Sequence, residues 1–172
     1  LWISGLAKAE AGPFPALRAL STHCGNFKTP GYDFRMTATA DNLMMCAKGF
    51  ALSCEALALR KDATHDLSIM LLGLTSLELS FKAWIKHHGA TEHELRAISH
   101  DLRKAYDAAV RHGLGDRTGA VAKAVDILTP LNKGFIRYMP DTDGFVGLST
   151  KSLVELTRAV AETVESVVWA EQ

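Results

Sequence analysis

The sequence predicts an all-α protein, a bundle of about five helices with a less regular N-terminal segment. Three observations carry this. Beyond residue 40, apolar residues recur at steps of three and four, the spacing of one helix face. No alternating period-two run of useful length occurs, and Val and Ile fall at helical spacing instead. Helix start and stop signals punctuate the periodic stretches. At 172 residues the chain fits one domain able to bury roughly 70% of its unfolded surface. We divide it into an irregular arm or short helix over 1–40 and a helical bundle over 41–172.

Residues 1–40 hold Gly12, Pro13, Pro15, Gly25, Pro30 and Gly31, which interrupt any period. A first helix is predicted over Asp41–Arg60, with Asp41 as N-cap and Leu43, Ala47, Phe50, Cys54 and Leu57 on one stripe. A second runs from about Ala63 to His88. It is apolar nearly all round, so it should be the central helix, and Gly89 supplies the left-handed residue that ends it. The third has the clearest start: Thr91 and Glu94 match a capping box. Leu95, Ile98, Leu102, Tyr106 and Ala109 then face inward until Gly113. Asp116 can cap a fourth helix carrying Val121, Val125 and Leu128, which Pro130 interrupts. Arg137 to Pro140 close that segment, a turn-rich stretch follows, and a last helix spans about Ser149 to Ala170 with Leu153, Leu156, Val160, Val164 and Val167 inward.

Composition narrows the function classes. Nineteen basic residues balance nineteen acidic ones, so attraction to nucleic acid needs a local patch, not net charge. Cys24, Cys46 and Cys54 form no CxxC pair. They read as free, mostly buried thiols in a reducing cytoplasm. The start, Leu1 to Lys8, lacks the pattern of a signal peptide. The apolar run Leu67–Ile85 carries Glu78 and Lys82 near its middle, which favours a buried core helix over a membrane span.

The familiar glycine-rich, zinc-protease and hydrolase motifs are absent. On an unbroken third helix, Arg96, His100, Arg103, Asp107 and Arg111 would share one polar face. The plain reading is a solvated face; the sharper one is an imidazole flanked by guanidinium groups that could hold a phosphodiester and move protons near neutral pH. Glu78 and Lys82, four apart, either pair at the rim of the bundle or leave Glu78 to orient His100 or Arg137. Asn132, Arg137 and Tyr138 either anchor a helix end or join a site. His93 and His100 lack a third ligand, so no metal and no cofactor is expected.

The stretch from Leu71 to Pro140 resembles the HEPN superfamily of small helical domains. The residues that carry the likeness are Leu77, Glu78, Leu79, Ser80, Phe81, Lys82 and Ala83, then Gly89, then His100, Asp101 and Leu102, then Leu131 and Asn132, then Arg137, Tyr138, Met139 and Pro140. The preceding helix fits as well. The resemblance implies a bacterial-type helical bundle that forms a homodimer. Members include metal-independent ribonucleases, toxins paired with a nucleotidyltransferase-like antitoxin, and non-catalytic RNA- or nucleotide-binding modules. Catalytic members carry Arg, four to six residues, then His. Here Arg96 and His100 are separated by three, and the family's spacing occurs at Arg18 to His23 and Arg60 to His65. On this reading His100 is the general acid or base and Arg96 or Arg137 stabilises phosphorane charge. Asp101 or Glu78 orients the imidazole, and Tyr138 stacks or hydrogen-bonds. Lys82, Arg103 and Asn132 complete the binding set. Three classes stay open: a ribonuclease, a binding module without turnover, and a dimeric interaction protein.

Overall fold

The computed structural model describes residues 38–60, 66–116, 118–131 and 148–170. They form six α-helices and no strand: α1 (Ala40–Ala58), α2 (Asp66–His87), α3 (Glu92–Ile98), α4 (Leu102–Arg111), α5 (Ala120–Pro130) and α6 (Thr150–Val168). All six belong to one unit, Thr37–Gln172. The all-α expectation holds, with one more helix because the predicted third is two.

The N-cap of α1 lies two residues before the expected Asp41. Thr39 is the N-cap, its side chain accepting from the Asn42 amide, and Asp41 sits in the first turn, where a carboxylate favours the positive end of the helix dipole. Of the expected stripe, Ala47 and Cys54 are buried together with Met44, while Leu43, Phe50 and Leu57 are half-buried. Cys46 is exposed, against the expectation of mostly buried thiols; Cys54 is buried, and Cys24 lies outside the described residues.

α2 is the central helix, packed on α1, α4 and α6. Its length and apolar composition would suffice to cross a membrane, yet 67% of its apolar window is buried within the bundle. Leu74, Leu77, Phe81 and Ile85 are essentially inaccessible, and each such side chain contributes about 1.5–3 kcal/mol of burial. α2 ends as read from the sequence. Gly89 takes φ +90°, its amide donates to Lys86 O and the Ala90 amide to Ile85 O, the paired bonds of a Schellman motif. Gly113 ends α4 in the same way, with φ +89° and the Leu114 amide bonded to Ala109 O.

The predicted capping box opens α3: Thr91 accepts from the Glu94 amide, and the Glu94 carboxylate accepts from the Thr91 amide at 2.7 Å. The expectation of one long helix from here to Gly113 fails at Ser99, whose φ is +52°. That value lies in a region that residues with a side chain rarely adopt and cannot continue an α-helix. Asp101 then restarts the helix by accepting from the Lys104 amide. The inward apolar spacing survives the break, since Leu95, Ile98, Leu102 and Tyr106 are all buried.

α5 has Gly119 as N-cap, with no side-chain cap. Asp116 acts from three residues further back, accepting from the Ala122 amide at 2.8 Å and from the Tyr106 hydroxyl at 3.0 Å. Pro130 is the last residue of α5. α6 starts where expected, with Ser149 as its N-cap accepting from the Ser152 amide. Its inner face is turned slightly from the expected one: Leu153, Val160 and Val164 are buried, but Thr157 and Val168 accompany them, and Leu156 and Val167 are half-buried.

Candidate functional site

The break between α3 and α4 places His100 outside any helix, directly over the middle of α2. Its Nδ1 lies 3.1 Å from Glu78 Oε1. The same oxygen accepts from Lys82 Nζ at 2.7 Å. Glu78 is nearly enclosed, with 7% of its side chain exposed, and Lys82 has 12%, whereas 75% of the His100 side chain is open. A lone carboxylate so deep in a bundle would be costly. The ammonium group one turn along α2 compensates its charge and holds it in one position. Glu78 thus pairs with Lys82, inside the bundle instead of at its rim, and the same carboxylate also meets His100.

This arrangement has a chemical consequence. A carboxylate oxygen can only accept, so Nδ1 donates to Glu78 and the tautomer is set. Nε2, on the far side of the ring from Glu78, is then the atom positioned to take or give a proton. Ser99 is the one described non-glycine residue with positive φ, and it precedes this imidazole directly. Backbone strain next to a reactive group is a feature of sites whose geometry is held by the surrounding fold.

The other expected members divide. Asp101 serves α4 as its N-cap, and Glu78 is the carboxylate that contacts the His100 ring nitrogen. Arg96 is exposed in the last turn of α3, four positions before His100. Arg103 is turned elsewhere, which corrects its place in a shared polar face with His100. Its guanidinium binds Asp107 at 2.9 Å and Asp126 of α5, and it lies 5.8 Å from the centre of the Tyr106 ring. The hydrogen bond to Asp107 is the main reason its guanidinium is held above its ordinary pKa; burial opposes this, and the Asp107 charge together with the hydrogen bond and charge of Asp126 outweigh it. The shared face needed an unbroken helix, and the turn at Ser99 removes that condition. Asn132, Arg137 and Tyr138 lie outside the described residues. Among those described, no group of three His, Cys, Asp or Glu could hold a metal ion.

An open cavity of about 300 Å³ adjoins α3 and α4 but is not lined by His100. Ile85, Ala90 and Ile98 contribute apolar wall, and Lys104, Arg111 and His112 contribute donors. Sequence reasoning did not single out this hollow, because it arises from the angle between α3 and α4. No family model, curated protein or solved structure matches the chain.

Proposed function

We propose that this chain is a HEPN-like metal-independent ribonuclease of the toxin–antitoxin type, with His100 as its acid–base group. One observation carries the reading: an exposed imidazole whose Nδ1 is held by a buried, lysine-compensated carboxylate. In RNA cleavage of this kind the 2′-hydroxyl attacks the adjacent phosphorus while the bond to the 5′-oxygen breaks. The 2′-proton goes to a base and the 5′-oxygen receives a proton from an acid. An imidazole near neutral pH can serve as either. Arg96, exposed and four residues before His100 on the other side of the Ser99 turn, is the arginine this reading assigns to offset charge on the phosphorane-like transition state. Glu78 is a positioning residue: it orients the ring and stabilises the imidazolium that forms.

The test is RNA cleavage in EDTA by the full chain, comparing wild type with His100→Ala, Arg96→Ala and Glu78→Gln, with folding checked by circular dichroism. Positioned acid–base catalysis contributes about 10²- to 10⁴-fold, so folded His100→Ala should lose activity on that scale. Glu78→Gln keeps the shape and removes the charge, and should move the pH–rate profile as well as lower the rate. Cleavage that persists in His100→Ala, or no wild-type cleavage above background, overturns the assignment. RNA affinity that falls steeply with salt but brings no turnover would mark a binding module instead.

A further inference from the structure

We propose that the outward face of α1 is a self-docking seam through which two copies of this chain pair with their α1 helices antiparallel. Met45, Gly49, Leu52, Ala56 and Leu59 are all exposed. They follow one another at steps of four, three, four and three, which keeps them on one narrow line along the helix. At 100° per residue that line runs nearly opposite the buried Met44, Ala47 and Cys54. Met45 is 60% exposed, Leu52 57% and Leu59 79%. Scattered exposed apolar residues are ordinary, but three at heptad spacing with no charge among them form a continuous strip.

Gly49 supplies an independent observation. Glycine within a helix costs about 1 kcal/mol relative to alanine. A Cβ built at Gly49 would meet nothing within 4 Å, so nothing in the described fold of its own chain requires a glycine there. A second helix lying close on this face would require it.

The pattern is complementary to itself, which selects a second copy as the occupant. In an antiparallel register whose paired residue numbers sum to about 101, Met45 rests on the partner's Ala56 and Leu52 on the partner's Gly49. The two-fold axis repeats both contacts. Met45 and Leu52 thus each meet a small side chain, and the helices can approach closely around the two-fold axis. Charge agrees. On the flank towards α6, Lys48 lies opposite the partner's Glu55, again twice. Lys48 pairs with Glu165 and Glu55 with Arg158 in the same chain, and all keep enough exposure to extend these pairs across the seam. A parallel pair would instead set Gly49 against the partner's Gly49 and leave a gap.

A single helix face gives an interface at the small end of the specific range, so the monomer–dimer balance should depend on concentration. Sedimentation velocity of the full chain over a concentration series should show monomer giving way to dimer. Leu52→Glu should remain monomeric throughout. Gly49→Leu should also be monomeric, because it fills the notch that receives the partner's Leu52, and should raise the melting temperature of the monomer, since a Cβ there meets nothing within 4 Å. Orientation is read by cross-linking in a background with the native cysteines replaced by serine. Met45→Cys and Ala56→Cys proteins should cross-link when mixed and not when alone. A wild type that stays monomeric, or a dimer that survives both seam variants, overturns the proposal. Cross-linking of Met45→Cys with itself overturns the antiparallel arrangement.

Discussion

Cys46 and Cys54 lie eight residues apart on α1 and differ in exposure. Cys54 is buried and donates to Ile69 O at 3.4 Å; burial, with the nearby Glu55 charge adding to it, pushes its thiol up to about 11. Cys46 is exposed. Since the thiolate is the reactive form, a Cys24→Ser protein should react with a disulfide reagent at one thiol in the native state near neutral pH. The second should react only on unfolding. Two rapid equivalents would contradict the burial of Cys54. The sequence supplies these residue identities but not their exposures: both thiols sit on one amphipathic helix, and a one-position difference in register decides which is inside. Glu78 shows the same limit. Its pairing with Lys82 follows from spacing alone, while its contact with His100 spans 22 residues and depends on how two loops turn.

At the scale of elements, caps were more informative than periodicity. The capping box at Thr91 and the glycines at 89 and 113 were legible because each end-signal is a local hydrogen-bonding pattern. The break at Ser99 was not, because the inward apolar positions keep helical spacing across it. The available clue was Asp101, a residue type that caps helices. Asp116 gives the start of α5 a pH dependence. Burial acts to raise its carboxyl, but hydrogen bonds from the Ala122 amide, the Tyr106 hydroxyl and the Val121 and Gly119 amides outweigh this and hold it below its ordinary pKa. A depressed folded-state pKa means that the stabilisation is present above the unfolded value near 4 and is lost as pH falls through the folded value. The Tyr106 hydroxyl, pushed up to about 12 by burial and then by Asp116, remains a donor throughout that range. Asp116→Asn should therefore cost about 1–2 kcal/mol at neutral pH. Its stability should fall less than that of wild type on acidification from about pH 5 to pH 2, measured by denaturant titration. Equal acid sensitivity would show that Asp116 is not the group responsible.

Across the whole molecule, the bundle is organised by what α2 touches on each side. Against α6 the contact is close enough that residue size is decisive: a Cβ at Gly73 would lie 3.0 Å from Leu153 Cδ2 and Cγ. Gly73→Ala gains about 1 kcal/mol of helix propensity but forces apart two packed helices, and overpacking typically costs about 1–3 kcal/mol. The melting temperature should fall. Gly49→Ala, with the same propensity gain and no neighbour, should raise that of the monomer, and thermal unfolding of both variants at low concentration separates the two effects. Either glycine behaving like the other would contradict the helix placement.

The sequence by itself determined that the chain is helical, where most helices begin and end, and that α2 is the central one, because these follow from local backbone satisfaction and from the angular spread of apolar residues on each helix. It also marked Glu78, Lys82 and His100 as chemically capable. Only the tertiary structure decided that the predicted third helix is two, that Arg103 is bound to Asp107 and Asp126, and that His100 stands over Glu78. Periodicity records which side of a helix is apolar, whereas these contacts depend on the chain direction after Gly89 and Ser99. Those directions are selected by packing against the rest of the bundle.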